Sequence, residues 1–235
     1  MIDINISNRL RIVSKYLPKE ANFCDIGSDH AHLPCFVCLK DENAKAIAGE
    51  INEGPYQSAL NQVTKLNLQS RIDVRKGNGL AVVSPGEVNQ VVIAGMGGTL
   101  ISTILAEGLD KLDSVERIIT QPNINARYVR KWLYKHNYYL VEEQLIEEDG
   151  YHYEILVADK NRHQQQKELT EKEYYFGPIL LENKSGPFLT KWDLVLQKKI
   201  RIVQQMKAAA EPDKDKIAEF EQQIEWLEEV LRKNE

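Results

Sequence analysis

The sequence predicts an α/β fold: an open, mostly parallel sheet with helices on both faces, followed by a helical hairpin at the C terminus. Over residues 1–160, short apolar runs that end at a glycine or a polar turn alternate with segments of helical periodicity. This order is typical of βαβ units. Over residues 161–235 no strand pattern recurs, and the apolar side chains step by three and four, as on a helix.

The first part of the chain divides into strands and helices in regular order. We expect strands at 21–27, 44–51, 70–78, 90–98 and 117–123, and helices at 31–41, 54–68, 99–109 and 126–137. Two further strands, 138–149 and 151–160, meet at Asp149-Gly150, a turn too tight for a crossover, so they must be antiparallel. A parallel sheet closed by an antiparallel pair is typical of class I methyltransferase (Rossmann-like) sheets, whereas dinucleotide dehydrogenases usually add a sixth parallel strand.

The helical spacing of the C-terminal part indicates a second, helical domain. We therefore expect two domains, at 1–160 and 161–235. After the polar connector "NRHQQQKEL", apolar positions recur at helical spacing in two runs, which are Leu189, Trp192, Leu196, Lys199, Val203, Met206 and Ala210, then Ile217, Phe220, Ile224, Leu227 and Leu231. Pro212 is placed to stop the first helix and Asp213 to cap the second. We therefore expect an antiparallel coiled-coil hairpin whose apolar stripe is a packing seam rather than a cofactor site.

The composition limits which binding partners and which cellular location are expected for the protein. The chain of 235 residues is 43% hydrophobic and 28% charged, with a net charge of −5, so a nucleic-acid partner must be met by a local basic patch. No apolar run approaches the ~20 residues needed to span a bilayer, and the first residues lack the apolar core of a signal peptide. Three cysteines do not make a disulfide framework. We expect a cytoplasmic, monomeric protein with no membrane partner.

Candidate cofactor-binding residues fall at consecutive strand ends, where open parallel sheets bind ligands. They are Asp25, Gly27, Ser28 and Asp29 after the first strand, Glu50 and Ile51 at the second, Asn78 and Gly79 at the third, and Ala94, Gly95 and Met96 at the fourth. Glu50 follows Asp25 by 25 residues, about where an acid bonds ribose hydroxyls. The first loop has one glycine where a dinucleotide fingerprint needs three, so an adenosine cofactor with a methionyl tail fits better than a pyrophosphate. Alternatively, these are the turn glycines and scattered acids of any such sheet.

The stretch "CDIGSDHAHLP" (24–34) crowds two acids and two histidines into one turn. His30 and His32, followed by Cys35 and Cys38, could suggest zinc. However, the two cysteines lie three apart within the apolar helix "PCFVCLK" and are expected to face the core, so we expect no metal.

Seven stretches of the chain together resemble the bacterial tRNA (adenine22-N1)-methyltransferase family. In chain order they are "NRL", "DIGSDHAHLP", "GEINEGPYQSA", "GNGL", "IAGMGG", "QPN" and "EEDGYHYEI", covering about residues 5 to 160. The resemblance implies S-adenosyl-L-methionine as the cofactor and transfer of its methyl group to N1 of an adenine in the D-arm region of tRNA. Asn78 stands where many methyltransferases have an aspartate, and its amide can still reach an adenine edge.

The resemblance also places Asp29 beside the methyl donor, where it would stabilise the positive charge that methylation creates on the ring. The alternative is that Asp29 caps the helix that begins near Pro34. His32 could orient Asp29, contact the substrate or cap the turn. Asn123, in the "QPN" segment after the fifth strand, completes the candidate catalytic set by holding the base edge, unless it belongs to a plain strand-to-helix turn.

Two basic segments are candidates for contacts with tRNA phosphates. The residues that we expect to make these contacts are Arg9 and Arg11 on the first helix, and Arg127, Arg130 and Lys131 on the helix after the fifth strand. The alternative for each segment is a solvated helix face. Two other classes of protein stay open at this point: a nicotinamide-dependent oxidoreductase, and a non-catalytic RNA-binding protein with the same fold.

Overall fold

A computed structural model of the chain describes residues 4–160 and 167–232, so the first six residues of the predicted connector lie outside the described part. Within it, seven strands form one sheet in the order β3-β2-β1-β4-β5-β7-β6. Their bounds are β1 Asn22–Ile26, β2 Lys45–Glu50, β3 Ile72–Lys76, β4 Gln90–Met96, β5 Arg117–Pro122, β6 Tyr138–Glu148 and β7 Tyr151–Lys160. β1 to β5 pair parallel, and β7 lies antiparallel between β5 and β6. The predicted Rossmann-like sheet with an antiparallel final strand is confirmed.

Helices cover both faces of this sheet. Those of the first 160 residues are α1 Asn8–Lys15, α2 His32–Lys40, α3 Glu53–Lys65, α4 Gly98–Glu107 and α5 Ala126–Lys135, with short 3₁₀ helices at Gly79–Val82 and Leu109–Lys111. One core packs α1, α2 and α3 on the sheet and includes Cys35 and Cys38, both fully buried as predicted. A second core packs α4 and α5 on the opposite face.

Several predicted boundaries differ from the structure by one to three residues. In two of them the backbone turns before the apolar pattern ends. α3 ends at Lys65 rather than at residue 68, since Asn67 takes a left-handed φ of 56°. β4 ends at Met96, because Gly97 and Gly98 already begin α4.

The C-terminal helices are more closely joined to the sheet than a separate hairpin would be. They are α6 Glu171–Phe176, α7 Pro178–Glu182, α8 Gly186–Lys207 and α9 Lys214–Leu231. α6 and α7 were not predicted. The third core includes Leu145 of β6 together with Phe188 and Trp192 of α8 and Leu227 of α9. Coiled-coil packing and the division into two domains therefore stay predictions.

Three details of the predicted hairpin have clear outcomes. Asp213 caps α9 as predicted, because its side chain accepts a hydrogen bond of 3.0 Å from the Lys216 N–H. Pro212 does not stop α8, which has already ended at Lys207. Leu189 does not belong to a seam, since it is 41% exposed.

A buried ion cluster ties the C-terminal helices to the sheet. The Arg130 guanidinium on α5 donates to Glu143 of β6 at 2.6 Å and to Glu154 of β7, and also to the Tyr174 carbonyl of α6 at 3.1 Å. Lys191 of α8 pairs with Glu154 from the other side. Burial alone would raise the pKa of Glu154, but Lys191 and Arg130 together lower it. Two cations and two carboxylates thus neutralise each other inside the protein, where losing one partner would be costly.

Gly177, between α6 and α7, is expected to be sensitive to substitution. Its φ is +93°, and an added Cβ would lie 2.6 Å from Arg130 Nη2 and 2.7 Å from Glu143 Oε2. Gly177→Ala should therefore lower the free energy of unfolding, measured by urea denaturation, by about 3 kcal/mol or more. The control is Gly186→Ala at the start of α8, where a Cβ meets no atom within 4 Å and the change should stay within about 0.5 kcal/mol. Equal stability of the two variants would contradict this account of the cluster.

Candidate active site

The candidate site lies where the strand order reverses. β1 has β2 on one side and β4 on the other, so the loops after these strands diverge and leave a crevice at their carboxyl ends. The loop after β1 is unusual because Asp29, His30 and Ala31 follow one another with φ values of 46°, 63° and 56°. Left-handed backbone costs roughly 1–2 kcal/mol for each residue that is not glycine. Three in succession mark a strained turn, and such turns cluster at functional sites.

Contacts from both neighbouring strands hold this turn. The Gly27 and Ser28 N–H groups both donate to the Gly49 carbonyl of β2, at 2.9 and 3.2 Å. Gly27 has a φ of +67°, and a Cβ there would overlap the terminal methyl of Met96 from β4. The left-handed backbone conformation therefore favours glycine here, whereas the Met96 methyl is the end of a flexible side chain and could move aside.

Two buried carboxyl groups lie at the ends of β1 and β2. Asp25 is 3% exposed and accepts a hydrogen bond of 2.6 Å from Ser28 Oγ. Burial raises the pKa of Asp25 to about 7, and the nearby Glu50 and Asp29 add to the rise, while the Ser28 hydrogen bond opposes it. The protein alone therefore stabilises the ionised forms of these acids poorly, and a cation beside them would favour ionisation.

Glu50 has the clearest sign of a ligand-binding role. Its side chain is 6% exposed, and its Oε1 has no hydrogen-bond partner among the described residues. Burial raises the pKa of Glu50, an effect that the N–H groups of Asp29 and His30 offset only in part. Because buried acceptors are nearly always paired, this oxygen is expected to receive a donor from a ligand.

The β2 and β3 ends supply a less polar part of the crevice. Ile51, directly after Glu50, is 56% exposed, and the Gly77 N–H donates to the Glu50 carbonyl at 2.8 Å. This bond brings the loop with Asn78 and Gly79 beside Glu50. An exposed apolar residue and an exposed amide residue thus lie near Glu50 along the backbone.

The β4 and β5 ends are joined by a hydrogen-bond network. The Asn123 side-chain amide donates to the Gly95 carbonyl at 2.8 Å and accepts from buried Gln121 at 3.0 Å, and Gln121 also accepts from the Gly95 N–H at 3.2 Å. Asn123 is therefore not a helix cap. It joins β5 to the end of β4, where the strand pairing is irregular between Ala94 and Met96.

Within the turn, the histidine beside Asp29 is His30. Asp29 does not cap α2, whose first turn receives no side-chain hydrogen bond, and its carboxylate is 79% exposed. His30, which the sequence prediction did not assign, pairs with Asp29 at 3.4 Å, whereas no such pairing links His32 to Asp29 within the part of the chain described. Burial and the nearby His30 lower the pKa of His32. His30 is therefore a second candidate for orienting Asp29, and the roles predicted for His32 stay predictions.

The residues predicted to contact phosphate differ in whether their side chains can reach solvent. The prediction for Arg130 is wrong, because its guanidinium is fully buried in the ion cluster. Arg9 and Arg11 lie over the rings of Tyr153 and Phe36, and Arg127 lies over Tyr128 and faces Glu219 at 3.5 Å. Lys131 pairs with Glu171 at 2.6 Å. All but Arg130 keep some exposed surface.

Among the described residues, no group of three or more His, Cys, Asp or Glu side chains is arranged to hold a metal ion. Burial raises the pKa of the Cys35 and Cys38 thiols to about 12 and about 11, which disfavours the thiolates that metals bind. No helix between residues 4 and 160 or between 167 and 232 has the length and apolar character to cross a membrane.

Comparison with known proteins identifies the family. The family model described as tRNA (adenine(22)-N(1))-methyltransferase matches residues 23–229. The chain is 44% identical to the tRNA (adenine(22)-N(1))-methyltransferase of Bacillus subtilis (strain 168), over 98% of this chain and 99% of that one. The crystal structure of the B. subtilis m1A22 tRNA methyltransferase TrmK superposes with a TM-score of 0.91, at 43% identity, covering 98% of this chain and all of that one.

A further similar structure includes a bound small molecule. It is a putative tRNA (m1A22) methyltransferase of Streptococcus pneumoniae in complex with S-adenosyl-L-methionine, with a TM-score of 0.87 and 38% identity over 97% of this chain and 100% of that one. Sequence, fold and family model agree over nearly the whole length. The chain belongs to the tRNA (adenine(22)-N(1))-methyltransferase family.

Proposed function

We propose that this chain transfers a methyl group from S-adenosyl-L-methionine to N1 of adenine 22 in the D-arm region of tRNA. The observation that carries the proposal is the unpaired, buried Glu50 Oε1 at the switch point of the sheet, beside the acid-rich turn that follows β1. Family membership and the S. pneumoniae relative crystallised with this molecule support the same assignment.

The residues present fit this cofactor. Glu50 would accept from the ribose hydroxyls, Ile51 would cover one face of the adenine, and Asn78 would reach its edge. Asp25 would face the positively charged methionyl part, and the group of Gly27, Ser28, Gly79, Ala94, Gly95 and Met96 would line the backbone side of the pocket. When bound, the cofactor supplies an electrophilic methyl group on a positively charged sulfur.

Asp29 would act on the charge that the reaction moves. The N1 lone pair of adenine forms the new bond to carbon as the carbon–sulfur bond breaks, so positive charge passes to the adenine ring and no strong base is needed to begin. A carboxylate beside the ring stabilises that charge as it develops. His30 lies 3.4 Å from the Asp29 carboxylate and would orient it, and Asn123, bonded to the Gly95 carbonyl at the end of β4, would hold the base edge. His32 stays a candidate for contact with the substrate.

The RNA would lie over this crevice, in contact with Arg9, Arg11, Arg127 and Lys131. To reach a phosphate, Arg127 and Lys131 must exchange their pairing with Glu219 and Glu171, which are exposed partners and therefore weakly held. A cytoplasmic location, a monomeric state and the absence of metal stay predictions.

The activity itself is tested by methyl transfer to two tRNA transcripts that differ only at nucleotide 22. With radiolabelled S-adenosyl-L-methionine, a transcript with adenine 22 should accept label that digestion recovers as 1-methyladenosine. A transcript with guanine 22 should accept none. Equal labelling of both, or of neither, would contradict the proposal.

Glu50→Ala should weaken cofactor binding without tRNA, because the ribose hydroxyls lose a charged acceptor. The expected loss, measured by titration calorimetry, is roughly 1.5–3 kcal/mol. Glu53→Ala is the control, since Glu53 lies nearby at the start of α3 but pairs with Lys76 at the surface. Affinity that is unchanged in Glu50→Ala would remove Glu50 from the site.

Asp29→Asn should lower kcat by roughly 10²–10³-fold while leaving cofactor affinity nearly unchanged, since the charge that Asp29 offsets develops only in the transition state. Asparagine tolerates the left-handed backbone, so the turn should persist. Asp149→Asn is a matched control, because Asp149 is exposed and also left-handed, with a φ of 52°, but lies in the β6–β7 turn. If Asp29→Asn retains most of the rate, Asp29 orients the base and the charge argument fails.

A further inference from the structure

Ile124 is an apolar side chain that the fold leaves in solvent at the active site. It directly follows Asn123 in the loop between β5 and α5, and it is 66% exposed. An exposed isoleucine elsewhere would need no explanation. Here it lies beside the pocket in which the methyl group is transferred.

The backbone that carries Ile124 is rigid. The Asn123 N–H donates to the Met96 carbonyl, and the Ile124 carbonyl accepts from the Gly98 N–H, each at 2.8 Å. A Cβ on Gly98 would overlap the Asn125 carbonyl, so the loop packs directly on the backbone at the start of α4. The exposure of Ile124 is therefore a fixed feature of the loop.

Ile124 separates two compartments. On one side, its Cγ1 lies 3.7 Å from where a Cβ of Gly97 would be, next to the β4 end of the cofactor pocket. On the other side it lines a groove of about 450 Å³ between the start of α5 and helices α8 and α9. The cations that line this groove are Arg127, Lys191, Lys198 and Lys199, against two carboxylates, those of Glu154 and Glu219. This excess of positive charge suits an RNA strand.

We propose that Ile124 is a wedge that enters the tRNA base stack and fills the gap left when adenine 22 turns into the pocket. The inference rests on the proposed function, because N1 of a paired base is inaccessible until the base is extruded. Extrusion costs stacking and pairing energy. Proteins insert apolar side chains between base steps, and such a side chain would occupy the space and replace the apolar contacts that an extruded base leaves. A rigid isoleucine between the pocket and the basic groove is placed for that insertion.

The first test uses full-length tRNA with 2-aminopurine at nucleotide 22, whose fluorescence rises when the base leaves the stack. Binding to the unaltered protein with S-adenosylhomocysteine should raise the signal, and Ile124→Ala should lose most of the rise. On tRNA with adenine 22, kcat/KM for Ile124→Ala should fall about tenfold or more, the scale expected when a buried branched side chain is truncated. Ile124→Leu should restore both values, and cofactor affinity should not change.

Leu109→Ala is the matched control. Leu109 is 45% exposed and follows α4, which runs back from the carboxyl end of β4, so it lies at the opposite edge of the sheet. Its truncation should leave fluorescence and methylation unchanged. If Ile124→Ala matches the unaltered protein in both measurements, or if Leu109→Ala is equally impaired, the wedge is excluded.

A second substrate separates a wedge from a contact with the adenine itself. In a full-length tRNA with an abasic residue opposite nucleotide 22, adenine 22 is already unpaired, and extrusion costs less. Ile124→Ala should then methylate within about twofold of the unaltered protein. An equal loss on both RNAs would overturn the wedge. If the proposed function itself were wrong, the unaltered protein would methylate neither RNA. That outcome is distinguishable from both results for the wedge.

Discussion

The site depends on the left-handed turn from Gly27 to Ala31, because that turn decides where the acids meet. Two N–H groups bonded to the Gly49 carbonyl, and Met96 packed where a side chain on Gly27 would lie, hold the turn between β2 and β4. Asp25 and Glu50 are consequently buried close together, with Asp29 at the rim. Acidic groups crowded in this way repel one another and favour a positively charged ligand, and S-adenosyl-L-methionine carries a positive charge on its sulfur.

Helix α5 connects this pocket to the C-terminal helices. Its Arg130 points inward and joins Glu143 and Glu154, while Arg127, one turn earlier, faces the groove beside α8 and α9. The β5–α5 loop therefore has the catalytic crevice on one side and the C-terminal helices on the other. We infer that the C-terminal part contributes to function by its fixed position relative to the loop, since the ion cluster and the core around Leu145 leave little freedom between them.

Much of the fold could be predicted because apolar runs that end in glycine are a local signal. α6 and α7 were missed because helices of six and five residues are too short to show a period. Arg130 was misassigned because its partners come from strands 13 and 24 residues further along the chain, and an arginine on a helix favours an exposed position. The pairing of Asp29 with His30 was missed because it depends on left-handed backbone angles that residue spacing does not reveal. Ile124 carried a usable signal, an apolar residue within the polar stretch "QPNIN".

The most direct measurement is a crystal structure of this chain with S-adenosylhomocysteine, which has the ribose and adenine of the cofactor without the methyl group. The account predicts a ribose hydroxyl within about 2.5–3.0 Å of Glu50 Oε1, the oxygen that now has no partner in the described structure. The sulfur should lie at the turn that carries Asp29. A ribose bound away from Glu50, with that oxygen still unpaired, would contradict the account.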